Sequence, residues 1–420
     1  MLITESMGFR SALATLLRDV DRVRTGLVGA RAPAADAARA DAGVGRKADG
    51  MAVAAARENS APAAPPVRTV GARAVVIEDV VRETDDAVSL VLRDRSGAPF
   101  AFAPGQFLTV IVEIAGERVR RSYSISSSAD VTDTATITVK RVAGGKVSGH
   151  IVEHAHAGMC LEVLGPAGAF TPSPAPSSPR RLVLIAGGSG ITPMMSIART
   201  VLAREPDARI DLLYGSRSER DIILKDALDA LASQHDPRLV VRHVLGVALD
   251  RAGAARELDA LDAAAPTGIG EAEYFVCGPE PMMREVRAAL AERGVPDAAV
   301  REEKFTPAPS LVVTPANDAP RASAGSKTVQ LRLTFRDNTT PATEIAIATD
   351  VPILQAALAA GVELPYSCTE GVCGTCTVRA ADPSAIDMDP GNCLTPTEIK
   401  QGCVLTCISR ARRDVELVVG

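Results

Sequence analysis

The 420-residue chain has no tryptophan, and aromatic residues make up only 3% of it. That scarcity counts against base stacking, aromatic cages and the aromatic belts of a membrane interface. The net charge of −5 offers no broad basic face, so no nucleic-acid partner is expected. No stretch reads as a transmembrane segment. The uncharged run from Leu182 to Ala198 is broken by three glycines and a proline, where a spanning helix needs about 20 apolar residues. No signal peptide is read either, because Glu5, Arg10, Arg18 and Asp19 fall where an uncharged core is needed. The expected location is the cytoplasm.

What remains is a globular composition, 46% hydrophobic and 23% charged. At roughly 150 residues per domain the length suggests about three domains. Residues 1–66 stand apart. Phe9, Leu13, Leu16, Leu17, Val20, Val23 and Leu27 recur at helical spacing. The following 30–66 contain 16 alanines among 37 residues and read as a flexible linker. From 67 to 179, short alternating segments at 73–79, 87–93, 107–114, 122–126 and 134–141 predict a small antiparallel β-barrel. From 180 to 306, apolar runs at 182–186, 209–214, 239–245 and 274–277 alternate with helical stretches at 193–203, 222–234 and 281–293. That order predicts an α/β unit, a doubly wound parallel sheet. A polar linker is read over 307–326. The last unit, 327–420, opens with strands at 329–335 and 344–348 and a helix at 351–360.

Eight cysteines are present, and six lie within the last 53 residues. Such crowding without a secretory context points to a metal or redox centre. Four residues separate Cys368 from Cys373, two separate Cys373 from Cys376, and thirty separate Cys376 from Cys407. This C-x4-C-x2-C…C spacing is a 2Fe–2S ligand pattern. Zinc sites commonly use two C-x2-C knuckles, and only one is present. Gly371 and Gly374 let the loop fold tightly around a cluster. Spacing alone leaves Cys403 and Cys407 both open as fourth ligand. The segment from Pro365 to Cys376, with Leu405-Thr406-Cys407, resembles plant-type ferredoxins. That resemblance implies a β-grasp ferredoxin fold (α+β) and the ligands Cys368, Cys373, Cys376 and Cys407. Cys160, Cys393 and Cys403 are read as ordinary thiols.

In the barrel region, Arg121-Ser122-Tyr123-Ser124 places Arg121 and Tyr123 on one face of a strand. An arginine fork suits a phosphate and a tyrosine ring suits a flat heterocycle. Gly144-Gly145-Lys146-Val147-Ser148 then opens a helix at 149–155, and a helix start binds anions. With Gly165 to Phe170, these motifs resemble the flavin domain of the ferredoxin–NADP reductase superfamily. The resemblance implies that Arg121 and Tyr123 hold the flavin and that Ser124 contacts its reactive edge. It also implies that Gly145, Lys146, Val147 and Ser148 hold the pyrophosphate of FAD, favouring FAD over FMN. His150, His154 and His156 are read as a polar helix face.

Gly187-Gly188-Ser189-Gly190-Ile191-Thr192-Pro193 follows a predicted strand and opens a helix, a geometry that admits a pyrophosphate. Tyr214-Gly215-Ser216-Arg217 and Cys277-Gly278-Pro279 follow later strands. Together they resemble the NAD(P) module of the same superfamily. That implies nucleotide contacts from Gly187, Gly188, Gly190, Thr192, Pro193, Ser216, Arg217, Cys277, Gly278 and Pro279, with Thr192 and Cys277 near the nicotinamide. Glu303-Lys304-Phe305 resembles a segment that packs Phe305 near the flavin. NADH and NADPH are both left open.

NAD(P)H gives two electrons as hydride, whereas a 2Fe–2S centre takes one. A flavin converts between them. The order flavin, nucleotide, iron–sulfur resembles the reductase components of multicomponent oxygenases. It implies an NAD(P)H-dependent reductase serving a separate Rieske-type or di-iron oxygenase. Two other readings are a self-sufficient oxidoreductase acting on a small acceptor, and a non-enzymatic redox sensor.

Overall fold

A computed structural model describes residues 72–173, 179–246, 249–265, 272–305, 326–336, 341–366 and 368–419, apart from Glu370, Val372, Gly391 and Thr395. The helix and linker expected over 1–66, and nearly all of 307–326, lie outside these residues.

The first unit is built from β1 (Arg73–Thr84), β2 (Ala87–Asp94), β3 (Phe107–Ile114), β4 (Glu117–Ser124), β5 (Ala135–Lys140) and β6 (Cys160–Ala167). The strands run antiparallel in the order β4-β3-β6-β1-β2-β5. A bridge from Ile125 to Ile137 joins the two edges and closes the sheet into a barrel. Period-2 alternation drives this fold. Val75, Ile77, Leu90, Leu92, Leu108, Val110, Ile137 and Val139 all point into one core. Helix α1 (Lys146–His154) plugs one side with Val147, Ile151 and Val152. It starts three residues before the expected helix, so Lys146, Val147 and Ser148 form its first turn. Strand β6 is not evident from the alternation. Gly165 and Pro166 interrupt its pattern, and the register with β3 shifts there, between Phe107 and Thr109.

The second unit alternates β7 (Arg181–Gly187), α2 (Ile191–Arg204), β8 (Arg209–Ser216), α3 (Lys225–Gln234), β9 (Leu239–Leu245), α4 (Arg251–Ala263), β10 (Ala272–Cys277), α5 (Glu280–Glu292) and β11 (Val300–Glu303). All pairs are parallel, in the order β11-β10-β7-β8-β9. Every residue of β7 is buried, as expected of a strand covered on both faces. Met194 and Ile197 of α2 pack with Leu228 and Leu231 of α3 in one core. Leu258 and Leu261 of α4 pack with Val286 and Leu290 of α5 in another. The chain moves from β7 to β8 and β9, then returns to β10 on the other side. The crevice at the carboxyl ends of β7 and β10 is therefore the topological switch point, where such sheets bind ligands. Helix α4 and the four-residue β11 go beyond the elements expected from the sequence. The first is alanine-rich with a weak apolar stripe, and the second is too short to show a period.

The third unit contains β12 (Thr328–Phe335), β13 (Thr343–Ala348), α6 (Ile353–Ala359), β14 (Thr377–Ala380), β15 (Ile386–Met388), α7 (Pro396–Lys400), β16 (Cys403–Leu405), β17 (Ser409–Ala411) and β18 (Val415–Val419). Its main sheet has the order β13-β12-β18-β14-β16, with only the β12–β18 pair parallel. Ile353, Leu354 and Ala357 press α6 into the core with Leu331, Leu333, Leu405 and Leu417. This is a β-grasp arrangement.

Barrel and parallel sheet are joined by polar side chains. Arg199 donates to the Ser126 carbonyl at 2.9 Å, and the Ala129 N–H donates to Thr200 Oγ1 at 2.9 Å. The Leu224 N–H donates to Glu83 Oε2 at 3.2 Å. The barrel is thereby held against the second half of α2 and the start of α3.

Candidate redox site

The turn after β7 and the turn after β10 meet at the switch point. An ideal Cβ on Gly190 would lie 2.1 Å from the Cys277 carbonyl oxygen. One on Gly278 would lie 3.0 Å from the Gly187 Cα. Glycine is required here because two backbones touch. Thr192 donates to the Ser189 carbonyl at 3.0 Å, which secures the start of α2, and Pro193 is buried behind it. Tyr214 is wholly buried, and its hydroxyl donates to the Gly188 carbonyl at 3.0 Å. The same oxygen accepts from the Ile223 N–H at 3.1 Å. Tyr214 thus pins the glycine loop from the neighbouring strand. Ser216 is buried beyond it, while Arg217 is largely exposed and pairs with Asp221 and, at 3.3 Å, with Asp86. Pro279 opens α5.

The barrel meets this crevice at the end of β4. Ser124 is buried, and its hydroxyl donates to Glu303 Oε2 at 3.2 Å. Glu303 keeps some surface in the cleft, yet lost hydration pushes its carboxyl up to about 8, with Ser124 opposing the shift. Cys277 is fully buried, and burial, reinforced by the Glu303 charge, lifts its thiol well above the usual range. It is not an activated nucleophile. Burial likewise raises the Tyr123 phenol, with Arg121 pulling the other way. Arg121 donates to the Arg120 carbonyl at 2.7 Å. Glu303 has no role of its own in the sequence motifs, where it is only the start of the Glu303-Lys304-Phe305 segment. Phe305 itself is 45% exposed just beyond β11.

Beside the barrel, the first N–H groups of α1 have no helical acceptor. Val147 is buried in the core, so only its backbone can face a ligand there. Ser148 Oγ accepts from the Val142 N–H at 3.1 Å and so fixes the turn. Lys146 is exposed and lies 3.3 Å from Glu117. His150 and His154 stack at 4.6 Å on the helix.

In the third unit the thiols fall into pairs. Cys376 and Cys407 are buried with sulfurs 3.2 Å apart. The Cys368 N–H points at Cys373 Sγ, 3.5 Å away. Hydrogen bonding to Cys368 and then burial raise the Cys373 thiol, and Cys407 does the same for Cys376. Crowded thiols resist ionisation unless a cation compensates them. Two thiolate pairs match a binuclear centre, which has two protein ligands on each iron. Among the described residues no three His, Cys, Asp or Glu side chains close on a single ion. Gly371 and Gly374 have φ of +76° and +73°, and a Cβ on Gly371 would meet Ile408 at 2.6 Å. The donor set therefore fits the cluster. The Cys393 N–H donates to the Gly371 carbonyl at 2.9 Å, tying that thiol to the loop, while Cys403 sits in β16.

Family comparison agrees with this division of labour. Residues 76–171 match the oxidoreductase FAD-binding domain, 184–288 the oxidoreductase NAD-binding domain and 336–412 the 2Fe-2S iron-sulfur cluster binding domain. The ferredoxin reductase component of 3-ketosteroid-9-alpha-monooxygenase from Mycolicibacterium smegmatis is 36% identical over 343 residues, covering 79% of this chain and 92% of that one. The chain belongs to this family of flavin-dependent ferredoxin reductases. The glycine betaine monooxygenase reductase subunit from Pseudomonas aeruginosa is 32% identical over 341 residues, covering 80% of this chain and 92% of that one. Among solved structures, an intact type IV self-sufficient cytochrome P450 monooxygenase superposes with a TM-score of 0.57 at 26% identity, over 84% of this chain and 43% of that one. As a member of the family, the chain is an NAD(P)H-dependent oxidoreductase. Its cofactors are FAD and a 2Fe–2S cluster. No helix among the described residues is long and apolar enough to cross a membrane.

Proposed function

We propose that the chain accepts hydride from NAD(P)H where barrel and sheet meet, and delivers the two electrons one at a time through its cluster to a separate oxygenase. FAD, when bound, is what accepts a pair and releases single electrons. The observation that carries the reading is the hydrogen bond from Ser124 to Glu303. It joins the end of the flavin strand to the last strand of the nucleotide sheet, beside Cys277.

In this reading Arg121 holds the flavin phosphate and Tyr123 lies against the ring. Ser124 and Glu303 face the ring's reactive edge. The N–H groups of Gly145, Lys146, Val147 and Ser148 hold the pyrophosphate. Gly187, Gly188 and Gly190 let the nucleotide approach the backbone, and the start of α2 favours its charge. Thr192, Pro193, Cys277, Gly278 and Pro279 shape the nicotinamide pocket. Ser216 and Arg217 meet the adenosine end, and Phe305 shields the flavin from the cleft. Cys368 and Cys373 hold one iron, and Cys376 and Cys407 hold the other. The units are divided at 67–179, 180–306 and 327–420. Relatives named as monooxygenase reductase components support a separate oxygenase acceptor, for which a Rieske or di-iron type is proposed, and NAD(P)H chemistry with free thiols suits the cytoplasm.

Cys373→Ser tests the route. It is expected to abolish cytochrome c reduction by NAD(P)H while direct ferricyanide reduction by the flavin persists. Equal loss of both activities counts against it. Mixing the wild-type chain with purified Rieske and di-iron oxygenase components identifies the acceptor class, and turnover with neither rejects an oxygenase partner.

A further inference from the structure

Strand β4 carries three arginines, and each has a different task. Arg118 turns to Glu162 of the barrel, and Arg121 folds back on the Arg120 carbonyl. Arg120 instead reaches into the ferredoxin unit. Its Nη2 donates to Glu363 Oε2 at 3.1 Å, and its guanidinium lies 4.1 Å from the centroid of the Tyr366 ring. The Arg120 side chain is only 8% exposed, so the contact is largely desolvated.

A nearly buried guanidinium demands both a carboxylate and a surface to stack on. Here the ferredoxin unit supplies both, although the arginine belongs to the barrel. The sign is complementary, since residues 327–420 contain 8 Lys+Arg and 11 Asp+Glu, a net of −3. Tyr366 stands two residues before Cys368 and packs against the ferredoxin core. The Arg120 contact therefore lies at the entry to the cysteine loop. Among the described residues no barrel strand pairs with a ferredoxin strand, so side chains fix this approach. On the barrel side, Arg120 is one residue from Arg121 and three from Tyr123, which are assigned above to the flavin.

We infer that Arg120 is a positioning residue that docks the cysteine loop against the flavin barrel, and that its contact with Glu363 and Tyr366 governs how fast single electrons cross from flavin to cluster. The inference rests on the electron route proposed above. One electron leaves the flavin and one arrives at the cluster in each crossing, and Arg120 itself gains and loses nothing. Its effect is on the fraction of molecules in the docked arrangement, and an observed rate scales with that fraction.

The test uses the full-length holoprotein in anaerobic stopped flow, with Arg120→Ala, Glu363→Gln and the exchanged pair Arg120→Glu with Glu363→Arg. Flavin bleaching by NAD(P)H should keep its wild-type rate, with full FAD and iron content and an unchanged cluster potential. Cluster bleaching should slow by roughly tenfold in each single variant and recover in the exchanged pair. Glu363→Gln keeps the shape of the site and serves if Arg120→Ala does not fold. Wild-type cluster reduction in the single variants overturns the inference. So does slowing accompanied by lost iron or a shifted potential, because that marks a structural role. If the wild-type cluster stays oxidised under NAD(P)H, the route itself has failed and not the docking.

Discussion

Glu303 shows most clearly how burial becomes chemistry at the scale of one residue. Its carboxyl sits at about 8 in the folded protein, against 4.5 for an exposed glutamate. The folded chain therefore keeps a proton that the unfolded chain releases. Between those values the unfolded state binds fewer protons, so this group's contribution to stability falls as pH rises through the window, and the loss is complete above about 8. At neutral pH Glu303 is uncharged. With the flavin held as proposed, its ionisation would set a negative charge beside the ring to which hydride is delivered, which opposes that delivery. Flavin reduction by NAD(P)H should break near pH 8 and fall by up to about tenfold per pH unit above it. Glu303→Gln should flatten the profile, and an unchanged break in that variant rejects the assignment. Of the proposed cluster cysteines, Cys368, Cys373 and Cys376 are legible in the sequence because ligand chemistry imposes spacing, whereas Cys407 is reached only through the resemblance to plant-type ferredoxins. Glu303 is not legible, because nothing near it in the chain announces that Ser124 lies 3.2 Å away. Arg120 is equally silent, since its carboxylate partner lies 243 residues further on.

At the scale of elements, the glycine loop after β7 and the amino-terminal edge of the parallel sheet do different work. A side chain on Gly190 has no room against the Cys277 carbonyl. Gly190→Ala should force the two turns apart and raise KM for NAD(P)H by about tenfold or more, equivalent to roughly 1.4 kcal/mol. FAD content should be retained. An unchanged KM shows that the turns need not touch. Asp211 lies near the other end of β8, fully buried between Arg181 at 2.6 Å and Arg209 at 2.9 Å. Asp211→Ala takes the carboxylate from the buried Arg209 guanidinium and leaves Arg181 with Asp262 alone, and it should cost about 3–5 kcal/mol in urea unfolding. Hydride transfer per folded molecule should hardly change, because this edge faces away from the crevice. Most strands and helices are readable in the sequence, because each spans two or more periods of its pattern. Strand β6 is hidden by Gly165 and Pro166, α4 by its small side chains, and β11, β14 to β18 and α7 by their length.

At the scale of the molecule, the chain is a relay whose order in sequence differs from the order of electron flow. The units run flavin, nucleotide, cluster along the chain, whereas electrons pass from nucleotide to flavin to cluster. Contacts reconcile the two orders. The flavin barrel touches both other units, through Ser124 to the nucleotide sheet and through Arg120 to the ferredoxin unit. Unit identities are legible, since glycine turns and cysteine spacing belong to local chemistry. How the units abut is not, because those contacts depend on single side chains far apart in sequence. The most direct test of the relay is anaerobic stopped-flow reduction of the purified protein by NAD(P)H, followed at flavin and cluster absorbances together. The relay predicts that the flavin bleaches first, that the cluster follows, and that Cys373→Ser removes only the second phase. A cluster that stays oxidised while the flavin is fully reduced would contradict it.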